Sequence, residues 1–283
     1  MSETRYYKVA EHTFSVTMEG ADFRLMTNYE PFATSDCEPL FALTVSDGPA
    51  VGYVEDLRQD DEGQEIICGR TAEGDAVYEF IWWKESAGWL VCTDDYLNSR
   101  LITTGRHKKM AIDNALMVLY ALATADKGTA LFHASAVSHD GQGYMFLGMS
   151  GTGKSTHAGL WVKNIEGAML MNDDNPVVRI NKGRVMVYGS PWSGKTACYR
   201  NVCSPLSGIV LLKQAPYNKI QRLTGLEAYM ALVTSISGKR WDEGIADGLH
   251  QTENELASNV PMWHLECLPN EEAAILCQTT IRL

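Results

Sequence analysis

A chain of 283 residues with 45% hydrophobic and 21% charged residues can bury a sizeable core in one large globular domain or two small ones. Its formal net charge of −11 argues against a nucleic-acid footprint, which needs a basic face, though a local basic pocket remains compatible with it. No apolar run approaches the roughly 18 residues of a membrane span, and Met1 to Glu11 is polar, without the apolar core of a secretion signal, so a cytoplasmic protein is expected.

The seven cysteines are scattered and none forms C-x-x-C, which fits free thiols in a reducing compartment. Cys198 and Cys203 are the closest pair, but no further Cys or His at ligand spacing accompanies them, so a zinc site is not expected there.

Residues up to about 103 read as strands and turns. Phe14, Val16 and Met18 alternate with polar neighbours, as a half-buried strand does. Asp47-Gly48-Pro49 and Asp60-Asp61-Glu62-Gly63 are turns. Val77 to Trp83 and Trp89 to Cys92 suggest a hairpin around Ala87-Gly88. Trp82, Trp83 and Trp89 read better as core and cross-strand packing than as a ligand groove. This segment carries no recognisable catalytic pattern. His107 to Ala125 is a helix, with Ala111, Ala115, Val118, Leu119 and Leu122 on one stripe, and it bridges into the second half.

Leu131 to Ser138 reads as a strand, Asp140 to Gly143 as a tight turn, and Tyr144 to Leu147 as the returning strand. The next stretch is Gly148-Met149-Ser150-Gly151-Thr152-Gly153-Lys154-Ser155, which meets the phosphate-loop pattern G-x-x-x-x-G-K-[ST] at every fixed position. It lies between an apolar strand and a segment from Thr156 that can be helical. Glycines let successive N–H groups converge on one anion, and the helix adds its positive end. Lys154 can then reach the terminal phosphates, and the Ser155 hydroxyl can meet Mg2+. Antiparallel pairing about Gly141-Gln142 places His133 level with Met149-Ser150, within a residue or two. At that position it is either a site residue or a strand-end histidine bonded to a backbone carbonyl.

Ala168 to Met171 is a buried-strand run ending in Asn172-Asp173-Asp174, the Walker-B arrangement. One aspartate can hold Mg2+ and the other can take the proton of an acceptor hydroxyl; the alternative is an Asx-turn that only shapes the loop. A second polar loop, Gly189 to Thr196, lacks the glycine spacing of a nucleotide site. It is either a substrate-facing loop with Lys195 as its charge or a structural turn. Further on, Ile209 to Leu212 and Trp263 to Cys267 read as strands. Thr224 to Glu227 has the form of a capping box that opens a helix to about Gly238, and Asp242 to Asn259 and Glu271 to Ile281 read as helices.

Taken in order, Phe132-His133-Ala134-Ser135-Ala136-Val137, the loop Gly148 to Thr156, and Asn172-Asp173-Asp174 resemble the catalytic domain of HPr kinase/phosphorylase. They are also similar to the ATP-dependent phosphoenolpyruvate carboxykinases, which share that fold. Gly189-Ser190-Pro191-Trp192 is similar to a looser group of HPr-kinase-like proteins, some of which phosphorylate a serine on a peptide.

The resemblance covers about residues 105 to 283 and implies an α/β fold of mixed α+β type. This would be a bent mixed sheet with a phosphate loop and flanking helices, preceded by a smaller β-rich segment, 1–104. It implies ATP and Mg2+ as cofactors. Gly148, Met149, Ser150, Gly151, Thr152, Gly153, Lys154, Ser155 and Thr156 would bind the nucleotide. Lys154, His133 and Asp173 would be catalytic, with Asp173 as base, and Ser155 and Asp174 would hold the metal.

The implied activity is phosphoryl transfer to a hydroxyl, of serine in a peptide or protein or of a small molecule. It involves no nucleic acid or membrane, and it leaves a homo-oligomer open. The alternatives are a non-catalytic nucleotide or phosphate sensor and a carboxykinase-related small-metabolite enzyme. Thr156 stands where HPr kinases carry glutamate, and Gly189-Ser190-Pro191-Trp192 where they carry an Arg-Gly-Leu-Gly type signature. Both departures turn the expectation away from HPr itself as acceptor.

Overall fold

The computed structural model describes residues 1–61, 63–194 and 196–282. Its contacts separate two units, Met1–Ala123 and Thr124–Leu283.

In the first unit the apolar alternation becomes β1 (Ser2–Val9), β2 (His12–Glu19), β3 (Phe41–Asp47), β4 (Val54–Asp61), β5 (Gln64–Arg70), β6 (Ala76–Trp82), β7 (Glu85–Cys92) and β8 (Asn98–Thr103). A 3-10 segment, Gly20–Phe32, follows β2, and the helix α1 (Lys108–Thr124) follows β8. Among the described residues the strands form one sheet in the order β1-β2-β3-β8-β7-β6-β5-β4. The β2–β3 and β3–β8 pairs are parallel and the others antiparallel. Phe14 and Phe41 are register partners, and their rings stack at 5.1 Å. Tyr120 of α1 meets both rings edge-on, and its hydroxyl donates to the Val9 carbonyl. The sequence reading set the domain break at 104/105; these contacts group α1 with the strand-rich unit.

The hairpin expected about Ala87-Gly88 turns instead at Trp83-Lys84, where φ is 46° and 66°, values that suit a two-residue turn between twisted strands. Gly88 lies inside β7, where a Cβ would stand 2.6 Å from the Ile102 carbonyl oxygen. Its glycine serves close strand approach rather than a turn. Trp89 is buried with Val77 and Val91, while Trp83 is 68% exposed. Glu62, in the expected acidic turn, lies outside the described residues.

The second unit contains β9 (Thr129–Leu131), β10 (Ala134–His139), β11 (Gln142–Leu147), α2 (Lys154–Asn164), β12 (Met169–Asp174), β13 (Val177–Asn181) and β14 (Arg184–Tyr188). It continues with β15 (Cys203–Gln214), β16 (Lys219–Leu223), α3 (Gly225–Val233), α4 (Glu243–Asn259), β17 (Met262–Cys267) and α5 (Glu271–Ile281). Among the described residues its sheet runs β12-β10-β11-β15-β14-β13-β9, with β17 on β15 and β16 on β17. The β11–β15 and β15–β17 pairs are parallel and the rest antiparallel, so the fold is mixed α/β with mixed sheets. Trp161 of α2 and Ala274, Cys277 and Ile281 of α5 pack with Tyr144, Phe146, Val210, Leu212, Trp263 and Leu265 of the sheet. This core fixes α2, and with it the loop before α2, against the ends of β11 and β15.

Two expected elements differ. The strand Leu131 to Ser138 is broken at Phe132-His133, because β9 pairs with β13 whereas β10 pairs with β11 and β12. The helix expected to reach Gly238 stops at Val233, because the chain beyond it pairs with the break. His133 N–H donates to the Ser235 carbonyl at 2.8 Å, and Ser237 N–H to the Leu131 carbonyl at 3.0 Å. Thr224 is the N-cap of α3, but its side chain makes no capping bond. Among the described residues no helix is long and apolar enough to cross a membrane.

Candidate active site

The loop between β11 and α2 contains Gly148, Gly151 and Gly153 at φ of 152°, 76° and 103°, conformations that glycine adopts without penalty. A Cβ on Gly151 would meet nothing within 4 Å, and one on Gly153 only Thr156 at 4.0 Å, so the loop's outer face is open. Gly153 is the N-cap of α2 and, as a glycine, brings no side-chain cap of its own to that helix end. The free N–H groups and the positive end of the helix dipole suit an anion. Ser155 and Thr156 are exposed on the first turn of α2, and Met149 is 83% exposed. These features fit a phosphate group, and Ser155 and Thr156 are the residues on that turn whose hydroxyls could help hold a metal ion. Among the described residues no cluster of three or more His, Cys, Asp or Glu forms a protein cage for a metal.

Lys154 is only 7% exposed. Its ammonium lies 2.9 Å from the Gly148 carbonyl oxygen, 3.2 Å from that of Met149 and 2.8 Å from His133 Nε2. Three acceptors meet its three N–H donors. Burial pushes the Lys154 pKa down, and the charges of Asp174 and Asp173 oppose that shift.

His133 reaches Lys154 because β10 and β11 pair with Ala134 opposite Leu147, so the next residue faces Gly148. That is one residue from the position expected from the turn. Its Nδ1 lies 3.1 Å from Asp174 Oδ1. An ammonium cannot accept, so Nε2 accepts from Lys154 and the ring proton is on Nδ1, donated to Asp174.

The two aspartates come from β12, which pairs with β10 and not with β11. Ser135 lies opposite Asp173 and Ala134 opposite Asp174. Ser135 Oγ donates to Asp173 Oδ1 at 2.5 Å. Asp173 is 2% exposed, whereas the Asp174 side chain is 34% exposed. Asp174 has φ 112°, a region unfavourable for any residue with a Cβ, and its Oδ2 accepts from Asn175 Nδ2 at 2.8 Å.

Asn172, fully buried, organises the second polar loop. Its amide donates to Ser190 Oγ at 3.1 Å and to the Trp192 carbonyl at 3.0 Å, and its Oδ1 accepts from Asn175 N–H at 2.9 Å. The loop's described part faces the Asp pair: Gly194 N–H donates to the Asp173 carbonyl, and Ser193 Oγ lies within hydrogen-bond distance of both that carbonyl and the Thr196 carbonyl. Lys195 lies outside the described residues.

On the helix face behind the loop, His157 is buried beside Phe146, and burial pushes its pKa down to about 4. Its Nε2 accepts from Trp161 Nε1 at 3.2 Å. It serves packing rather than chemistry.

The structure thus brings together Lys154, His133, Asp173 and Asp174, and places Ser155 and Thr156 at the exposed start of α2. Sequence reasoning gave no role to Ser135, Asn172, Ser193, Gly194 or Ser235. Ser135 had one signal, its place two residues after His133 in the expected strand Leu131 to Ser138. Asn172 had another, a polar residue closing an apolar run.

The fold and site define a mixed α/β protein with a phosphate-loop motif beside a carboxylate pair. No family model matches the chain, and no curated protein matches it. Among solved structures it is similar to the HPr(Ser) kinase/phosphatase from Coxiella burnetii, with 13% identity, covering 54% of this chain and 88% of that one, at a TM-score of 0.33. At that score the likeness carries no argument about site or activity.

Proposed function

We propose that the chain is an ATP- and Mg2+-dependent phosphotransferase that moves a phosphoryl group to a hydroxyl, of serine in a peptide or protein or of a small molecule. The single observation that carries this reading is the hydrogen-bonded run Asp174–His133–Lys154 ending on the carbonyls of the phosphate loop. The motif alone supports phosphate binding. A buried lysine tied through an imidazole to a carboxylate, with a second carboxylate alongside, supports transfer.

In this reading the N–H groups of Gly148 to Ser155 hold the phosphates, and Thr156 lies at their edge. Lys154 turns from the loop carbonyls to the γ-phosphoryl oxygens, where its charge offsets charge developing during transfer. His133 keeps Lys154 and Asp174 in fixed relation. Asp173 takes the acceptor proton, while Ser155 and Asp174 help hold Mg2+, which when bound neutralises phosphate charge. The greater exposure of Asp174 favours a second division of labour, with Asp174 meeting the acceptor and Asp173 buttressed by Ser135.

The bent HPr-kinase-like sheet and a cytoplasmic location belong to the same proposal. The test is titration of purified protein with ATP and Mg2+, followed by turnover with and without candidate hydroxyl acceptors. Binding that is lost in Lys154→Ala and turnover that rises with acceptor support it. Tight nucleotide binding with no turnover under any condition would favour a sensor, and no binding at all would end the reading.

A further inference from the structure

Asp174 holds a backbone conformation that residues with a Cβ rarely adopt, φ 112°. Such strain persists where surrounding structure over-determines it. Here the surroundings come from two sides. Asn172 Oδ1 holds the turn from within through Asn175 N–H. From the other side, Gly194 N–H donates to the Asp173 carbonyl at 2.8 Å, Ser193 Oγ lies 2.9 Å from that carbonyl and 2.6 Å from the Thr196 carbonyl, and Asp174 and Ser193 form an antiparallel bridge.

Gly194 packs close against the Asp174 side chain. A Cβ built there would stand 3.1 Å from Asp174 Cβ, 3.2 Å from Cγ and 3.4 Å from Oδ2. The nearest atoms are all those of Asp174, so a methyl group would displace the carboxylate by a few tenths of an ångström. The same carboxylate receives the His133 Nδ1 proton at 3.1 Å, and a displacement of that order degrades an aligned hydrogen bond.

We propose that Ser193 and Gly194 are positioning residues for the Asp173–Asp174 pair. Gly194 acts by leaving the space in which the Asp174 carboxylate turns to His133. The described part of the loop, Gly189 to Gly194, then positions the catalytic pair. The catalytic consequence rests on the phosphotransfer reading; the geometric clamp does not.

The test compares the full chain with Gly194→Ala and with Gly159→Ala, where the same methyl group enters open space on α2. At one fixed pH, the ring 15N shifts of His133 report its tautomer, and Mg2+-dependent ATP turnover gives kcat and KM. In the parent and in Gly159→Ala a single Nδ1–H tautomer is expected. Gly194→Ala is expected to show a tautomer mixture, with kcat down about tenfold and KM for ATP within about twofold. Ser193→Ala is expected to move the same way, and Ser193→Thr, which keeps the hydroxyl, to restore the parent behaviour.

A parent-like tautomer in Gly194→Ala overturns the proposal, as does equal loss in Gly159→Ala. If Gly194→Ala does not fold, the Ser193 pair decides on the same readouts. A parent chain that turns over no ATP defeats the phosphotransfer reading, while the tautomer comparison still decides the clamp.

Discussion

Lys154 and His133, 21 residues apart, are joined by a direct hydrogen bond of 2.8 Å between Nζ and Nε2. That bond fixes which imidazole nitrogen carries the proton, and so fixes what Asp174 must be. A carboxylate can accept from Nδ1–H, whereas an amide presented by its nitrogen cannot. One tautomer therefore links the Lys154 ammonium to a carboxylate at the end of β12.

Asp174→Asn is expected to break this linkage. Turnover falls by about a hundredfold, while ATP binding changes by less than about tenfold, since the loop N–H groups and Lys154 remain. Initial rates and equilibrium binding measured on the same preparation check this. Near-parent rates in Asp174→Asn would remove Asp174 from the mechanism.

Lys154→Ala is expected to weaken ATP·Mg2+ binding by at least about tenfold, or ~1.4 kcal/mol. Titration calorimetry is the measurement, with a thermal melt to confirm that the protein is folded. Unchanged affinity would show that the lysine does not meet the nucleotide.

Ser135→Ala removes the hydroxyl donated to a carboxylate that is 2% exposed. A buried acceptor left without its donor costs about 1–3 kcal/mol, so the unfolding midpoint of the second unit is expected to drop by several degrees. Calorimetric unfolding reads the change. A midpoint equal to the parent's would mean that Asp173 finds another donor.

His157 makes stability depend on pH. Burial holds its pKa at about 4 in the folded protein, against about 6.5 in the unfolded chain. The folded pKa is depressed, so the contribution is complete above about 6.5 and is lost as pH falls toward about 4, where the unfolded state binds a proton that the folded state does not. The loss is on the order of 3 kcal/mol. His157→Gln keeps an acceptor for Trp161 and cannot titrate. Its stability profile between pH 7 and pH 4 is expected to be flatter than the parent's by about that amount in chemical denaturation; parallel profiles would contradict the assignment.

Much of the second unit was legible because its signals are local. The phosphate-loop glycines, the turn at Asp140-Gly141 and the apolar runs of β11 and β12 each declare themselves within a few residues, and the hairpin register then brings His133 to Gly148. The first unit was less legible in detail. Gly88 reads as a turn residue in sequence, yet it serves close packing inside β7, a role that depends on the neighbouring Ile102 carbonyl.

What the sequence by itself determined is the glycine-rich loop that meets the phosphate-loop pattern, the helix that follows it, and a histidine close to level with that loop. Tertiary structure alone decided how they engage. The strand that follows α2 pairs with β10 rather than with β11, and this sets Asp173 against Ser135 and Asp174 beside His133. The loop of Ser193 and Gly194 then closes on the pair from about twenty residues further along. Pairing between strands separated by a helix has no local signature, because its free energy comes from burying whole faces and satisfying a backbone ladder rather than from any residue's own preference.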